Sequence, residues 1–146
     1  MTAMFVPLDT LSFPTWLPLW LEYLGSRAPD VDARNHEATF ARLTDPSINL
    51  HGIAAVTEQA IGFAHFYYHP STWATSENCC LQDLYVAPSA PGQRVGKALI
   101  DAVAAIATQR GCPVLHWRTR ESNVAAQAVY SQFAERTDFI SYRLVL

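Results

Sequence analysis

The stretch Leu81–Ile100 constrains the fold more than any other part of the chain. Leu81–Val86 is a short, mostly apolar run closed by Pro88, the pattern of a core strand. Pro88, Pro91 and Gly92 end it, because proline has no N–H to give to a ladder. From Gly96 the apolar residues Leu99, Ile100, Val103, Ile106 and Ala107 recur at helical spacing as far as Arg110, and Gly111 supplies the stop. A strand, a glycine-containing turn and a helix in direct succession make a ready anion site. The first helical turn has N–H groups without partners and carries the positive end of the helix dipole.

The remaining segments read as an alternation around that unit. Met4–Leu8 is a first strand, and Ser12-Phe13-Pro14 opens a helix whose Trp16, Leu17, Leu19, Trp20, Tyr23 and Leu24 are strongly apolar. Pro18 inside it is expected to kink or restart it. Ala33–Leu43 is a second helix with Phe40 and Leu43 inward and His36 on its surface. Ile48–Val56 and Ala60–Tyr68 pair as a hairpin around Thr57-Glu58-Gln59. Along the second of these, Phe63, His65 and Tyr67 alternate with Gly62, Ala64 and Phe66. A loop carrying Trp73 leads to the central strand. Beyond Arg110 come a strand at Pro113–Thr119, a helix from Val124 to about Ala134, and a closing strand at Ile140–Leu146, where Ile140, Tyr142, Leu144 and Leu146 alternate with Ser141, Arg143 and Val145. The class is α/β, a mixed sheet with helices on both faces in the order β-α-α-β-β-β-α-β-α-β. At 146 residues the chain is read as one domain, 1–146.

Two motifs carry chemistry. In the first, the strand and turn Leu84-Tyr85-Val86 and Pro91-Gly92-Gln93-Arg94-Val95-Gly96-Lys97 precede the helix. The second is Asn123-x-x-Ala126-x-x-x-Tyr130, which spans almost two helical turns and puts Tyr130 over Asn123 on one face. Both resemble the signatures of the GNAT N-acetyltransferases, and the order of elements extends that resemblance over nearly the whole chain. The segment around Leu81-Gln82-Asp83 is most similar to the spermidine/spermine and the fungal histone-and-polyamine branch. Against the family's Arg-Gly-x-Gly-x-Gly, Pro91 stands for the arginine and Arg94 for the middle glycine. A Gln-x-x-Gly-x-Ala match at Gln93, Gly96 and Ala98 also exists, two residues late against both flanks. After the motif tyrosine, Phe133-Ala134 stands where the family has a glycine.

The resemblance implies acetyl-CoA as cosubstrate and direct transfer of acetyl to a primary amine, a small polyamine or diamine-like molecule in the first instance. It places Leu84, Tyr85, Val86, Gly92, Gln93, Arg94, Val95, Gly96, Lys97, Asn123 and Ala126 at the cofactor and makes Tyr130 the acid that protonates the departing thiolate. A tyrosine suits that role because its ordinary pKa near 10 keeps it protonated at neutral pH. The base assigned in the polyamine enzymes is a carboxylate where this chain has Gln82, which accepts no proton. Asp83 is the replacement, on condition that a bulge re-aims it; on a regular strand it faces away from Gln82. Glu77 is a second candidate base. Trp16, Trp20 and Tyr23 are candidates for the acceptor pocket.

Composition narrows the alternatives. Net charge is −3 with only 10 Lys and Arg, poor equipment for a nucleic-acid backbone. A mildly acidic surface suits cationic small molecules. No apolar stretch approaches 18 residues, so no membrane partner is expected and a cytoplasmic location is. Cys79, Cys80 and Cys112 read as reduced structural residues and no metal site is expected. The partners expected are therefore a small-molecule amine and, with the oligomeric state open, a second copy of the chain. The rival readings are a GNAT-fold CoA-binding or regulatory module without transfer activity, for which Pro91, Arg94 and Gln82 argue, and an acetyltransferase of protein lysines or amino termini.

Overall fold

The computed structural model describes residues 2–25, 35–90 and 94–146. Its elements are β1 (Met4–Pro7), a 3-10 turn (Leu8–Thr10), α1 (Phe13–Leu24), α2 (Asn35–Leu43), β2 (His51–Val56), β3 (Ala60–His69), β4 (Asn78–Val86), α3 (Val95–Arg110), β5 (Leu115–Trp117) and α4 (Val124–Tyr130). The five strands form one mixed sheet in the order β1-β2-β3-β4-β5, antiparallel from β1 to β4 and parallel between β4 and β5.

Alternation along the strands feeds two cores, one on each face of the sheet. On one face Ala64, Phe66, Tyr68 and Leu81 pack under the α3 stripe of Leu99, Ile100, Val103 and Ala107. On the other, Ala54 and Phe63 pack under Trp16, Leu19, Trp20 and Leu24 of α1, with Leu8 and Leu43. β3 and β4 approach closely at Gly62, where an added Cβ would stand 2.6 Å from the Tyr85 carbonyl oxygen, so only glycine fits. Gly111 caps α3 with φ 91°, its N–H donating to the carbonyls of Ala107 and Thr108.

Several expectations shift. α1 runs without interruption through Pro18. Pro18 forgoes one bond, to the Pro14 carbonyl, while Trp16, Leu19, Trp20 and Leu24 of the same helix are buried in the core. β4 begins at Asn78, three residues ahead of the apolar run. β2 begins only at His51; ahead of it the Asn49 side chain substitutes for strand, its Nδ2 donating to the Tyr68 carbonyl and its Oδ1 accepting from the Tyr68 N–H. The helix expected from Ala33 is described from Asn35, since residues 33 and 34 lie outside the described residues.

The largest difference is at the end: Ile140–Leu146 forms no strand, and every residue from Glu135 to Leu146 is exposed. Alternation of apolar side chains says that a segment needs a sheet edge, and says nothing about which edge receives it. Among the described residues no helix is long and apolar enough to cross a membrane.

Two features of β4 build the site. The parallel β4–β5 ladder covers only Cys79–Leu81 against Leu115–Trp117. Asp83–Val86 therefore pair with β3 alone, and among the described residues no strand pairs with the other edge of their backbone. The β3 ladder then skips a residue: Leu81 pairs with Phe66 and Asp83 with His65, leaving Gln82 bulged out between them and exposed. The bulge restarts the alternation. Leu84 and Val86 then share the α3 face with Leu81, while Tyr85 joins the α1 core.

Candidate active site

On the α3 face a cavity of about 260 Å³ opens between the free half of β4 and the two last helices. Leu84 and Val86 form its floor, Val95, Gly96, Lys97 and Ile100 one wall, and Ala126, Val129 and Tyr130 the other. An apolar trough beside an unpaired strand edge accepts an extended chain that carries amides: its walls take the methylenes and the β4 edge takes the hydrogen bonds. At one end of the trough stands the N-terminus of α3, whose first N–H groups suit an anion.

Arg94 is the N-cap of α3 with φ −113° and ψ 6°, and no non-glycine residue among those described has positive φ. An arginine here therefore adopts an ordinary backbone. Gly96 earns its place by space. An added Cβ would meet only Val86 Cγ2 at 3.8 Å, so the protein itself would tolerate a side chain. What glycine keeps free is the trough. Lys97 is tied to Asp101 one turn on, at 2.6 and 2.7 Å, and its ammonium lies 4.9 Å over the Phe133 ring.

Tyr130 closes the wall. Its ring meets Trp117 edge-on at 5.4 Å and Phe133 at 6.3 Å, and burial raises its phenol above the ordinary tyrosine value. Asn123 caps α4, its Oδ1 accepting from the Ala126 N–H at 3.4 Å, which fixes the start of the helix that presents Ala126 and Tyr130.

The opposite face holds a polar chain. Trp16 Nε1–H donates to His65 Nε2 at 3.2 Å. Because an indole N–H only donates, His65 Nε2 is an acceptor, and its proton sits on Nδ1, which donates to Asp83 Oδ2 at 2.9 Å. The Tyr23 hydroxyl donates to Asp83 Oδ1, also at 2.9 Å. His65 is 1% exposed and stacked on Phe63 at 4.3 Å, whereas the Asp83 side chain keeps 15% of its surface. The buried imidazole thus orients a carboxylate that still reaches solvent. Beside it Tyr85 and Tyr23 meet edge-on at 6.1 Å, and the Tyr85 hydroxyl donates to Glu22 Oε2 at 2.8 Å. Burial first, then that bond, pushes the Tyr85 phenol up to about 12.

Comparison with known proteins now decides the family. The profile of the acetyltransferase (GNAT) family matches residues 13–134. The chain belongs to that family. It is 37% identical over 131 residues to the D-amino-acid N-acetyltransferase HPA3 of Saccharomyces cerevisiae, covering 88% of this chain and 81% of that one. It is 32% identical over 88 residues to the thialysine N-epsilon-acetyltransferase of Mus musculus, covering 57% of this chain and 51% of that one. Among solved structures, the aminoglycoside acetyltransferase AAC(6')-Iy in complex with a CoA-linked bisubstrate analogue superposes with a TM-score of 0.83 at 24% identity, over 100% of both chains.

This GNAT chain is therefore an acetyl-CoA-dependent N-acetyltransferase. Of the residues that the sequence pointed to, Leu84, Val86, Val95, Gly96, Lys97, Ala126 and Tyr130 come together in the trough. Arg94 stands at its α3 end, while Gly92 and Gln93 lie outside the described residues. The Tyr85 side chain lies on the opposite face, in the α1 core. Asp83 is aimed there by the bulge at Gln82, and so meets the condition set for it. Glu77 sits just before β4, at the far end from the trough, and accepts from Arg110 Nη2 at 3.1 Å.

Ile100 and Val129 line the trough unforeseen; Ile100 belonged to the apolar stripe of its helix, while no sequence signal singled out Val129. The partnership of His65 with Asp83 and of Glu22 with Tyr85 had no signal in the sequence, since each joins residues far apart in the chain. His36 is corrected: it is buried and accepts from Trp20 Nε1 at 3.0 Å, a contact invisible when α2 is read alone. Trp73 is exposed. All three cysteines are free, and burial pushes the Cys79 thiol up to about 12, so it remains protonated at neutral pH.

Proposed function

We propose that this enzyme acetylates a primary amine of a small polyamine or diamine-like molecule, with Asp83 as base and Tyr130 as acid. The observation that supports the acceptor class is the pairing of two carboxylates with two phenols on the α1 face. Asp83 and Tyr23, then Tyr85 and Glu22, form adjoining anionic and aromatic pairs. A molecule with two amines would set the reacting one at Asp83 and hold the other, as ammonium, at Glu22 between aromatic faces.

A lysine-like amine with pKa near 10.4 is charged at pH 7, and neutralising it costs about 4.6 kcal/mol. Asp83 is built to meet that charge. Each carboxylate oxygen accepts one bond inside the protein, and the side chain keeps 15% of its surface, so the group stays open to an incoming ammonium and its proton. Acetyl-CoA supplies the activated thioester, and the residues of the trough fit it: an apolar groove along a free β4 edge for the pantetheine arm, and the α3 N-terminus with Arg94 for the pyrophosphate. Tyr130, at the trough wall, holds the proton that the departing sulfur needs. The three free cysteines support a reducing, cytoplasmic setting.

Initial rates with a diamine, a triamine polyamine, free lysine, a D-amino acid and a lysine-containing peptide test the acceptor. We expect the highest kcat/KM for the polyamine or diamine, and a fall of about 100-fold in Asp83→Asn with acetyl-CoA binding retained. A preference for the amino acids would move the acceptor toward the chemistry named in the two relatives, and a preference for the peptide toward protein acetylation. Unchanged turnover in Asp83→Asn would remove Asp83 from the mechanism.

A further inference from the structure

Two histidines meet over the Asn78 end of β4. His69 closes β3 opposite Asn78, and His116 stands in β5 beside Cys80. Because β4 lies between those strands, the two backbones are about 10 Å apart and the side chains reach toward each other across it. Their Nε2 atoms come to 2.7 Å, and the rings meet edge-on at 4.9 Å. The two residues are 47 positions apart in the chain, beyond any local ligand spacing. Neither has a part in the acetyl transfer proposed above.

The tautomers follow from the partners. His69 Nδ1 lies 2.9 Å from the Pro70 carbonyl oxygen, which only accepts, so Nδ1 carries the proton and donates. His69 Nε2 then presents a lone pair, and the proton between the rings belongs to His116 Nε2. Metal-binding histidines are held in this way, with one ring nitrogen donating to a backbone carbonyl and the other presenting its lone pair. Across from His69 on the same face, Asn78 Oδ1 is a buried acceptor without a hydrogen-bond partner among the described residues. An unmatched buried oxygen is costly, and water held on a cation would satisfy it. The Cys80 thiol on that face is already engaged with the Tyr67 hydroxyl.

We propose that His69 and His116 hold a divalent transition-metal ion of the zinc class, its other positions taken by water that can donate to the Asn78 oxygen. Imidazole nitrogen suits zinc, copper and nickel, whereas magnesium and calcium seek oxygen. Two nitrogens at about 2.0–2.1 Å on a tetrahedral ion stand roughly 3.3 Å apart. The pair therefore opens by roughly half an ångström from its 2.7 Å separation, a small turn of two rings near the surface. His116 passes its Nε2 proton to Nδ1, the ion takes the place between the rings, and no proton is gained or lost. Among the described residues no third histidine, cysteine or carboxylate joins the pair, so the ion keeps open positions and stays exchangeable. The Arg118 charge is felt at His116 and opposes a cation, but Arg118 is exposed, where water and salt screen it. Once bound, the ion ties β3 to β5 across β4, which no backbone bond does.

Calorimetric titration of the reduced, untagged protein with Zn2+ tests this at about pH 7.5, where imidazole is mostly neutral. Mg2+ is the control, and the imidazole nitrogen resonances locate the ion. The expected result is one Zn2+ per chain, with the Nε2 resonances of His69 and His116 shifting together and those of His36, His51 and His65 unmoved. Zn2+ should also raise Tm where Mg2+ does not. His69→Gln and His116→Gln should each weaken Zn2+ binding by at least about tenfold. Their far-UV spectra and their thermal shifts with CoA should match the parent and show that the domain is intact. Absence of Zn2+ binding would overturn the proposal. So would binding that survives both substitutions (the mark of an ion held by the cysteines), a shift of only one of the two imidazoles, or equal binding of Mg2+.

Discussion

In the proposed mechanism Tyr130 and Asp83 divide the proton work between the two faces of one sheet. Burial raises the Tyr130 phenol, so its proton is retained to higher pH than in an ordinary tyrosine. The sign follows: if Tyr130 is the acid, the alkaline fall of kcat lies above the usual tyrosine value near 10. In Tyr130→Phe we expect kcat to drop about 100-fold with the acetyl-CoA KM little changed, and that alkaline limb to disappear from the pH profile. Retention of the limb would assign it to another group. Both residues stood out in the sequence, Tyr130 by its spacing from Asn123 and Asp83 by its place in the strand. Their supports did not. His65 sits 18 positions before Asp83, and Tyr23 sits 60 before it, and no local pattern links such pairs.

Among the elements, β4 and α3 were legible because their signals are local: a strand run, a helical stripe and a glycine stop. Boundaries slipped where side chains replace regular ladder, as Asn49 does ahead of β2. Pro18 misled because one missing helix bond is outweighed by the burial of Trp16, Leu19, Trp20 and Leu24 around it. Gly96 allows a test at this scale. An alanine there meets only Val86 at 3.8 Å and has the better helix propensity, so Gly96→Ala should fold with equal or greater stability, by up to about 1 kcal/mol. The same methyl intrudes on the trough, and we expect the acetyl-CoA Kd to rise by about tenfold, since overpacking by a methyl costs about 1 kcal/mol or more. Stability and affinity moving in opposite directions, read by urea denaturation and calorimetry, would identify Gly96 as a residue kept for its ligand. A loss of both would mean that the glycine serves the fold.

For the molecule as a whole, binding energy and folding energy share one balance. The trough joins the free half of β4 to α3 and α4, so an occupant ties three elements together. With acetyl-CoA at 100 times its Kd the folded state gains about 2.7 kcal/mol, which raises Tm by several degrees in a domain of this size. ATP, which has phosphates but no pantetheine arm, should give no comparable shift; an equal shift would mean that the anion site alone carries the affinity. This level was the least legible. The sequence marks Ile140–Leu146 as a strand by composition, yet pairing is a property of the edge that receives it, and that edge is specified nowhere in the segment.

The bulge at Gln82 has a consequence for kinetics. Asp83 and the Leu84–Val86 floor look out on opposite sides of the sheet, so on the proposed assignment the amine and the thioester enter by separate doors, and neither has to leave before the other arrives. An enzyme arranged in this way holds both substrates at once. Its double-reciprocal plots should intersect, where a protein that parked acetyl on its own side chain between visits would give parallel lines. Taking Gln82 into a regular ladder would turn Asp83 toward the α3 face and Leu84 toward α1, whereas deleting it would leave both facing as they do. The bulge thus sets which wall each door opens on.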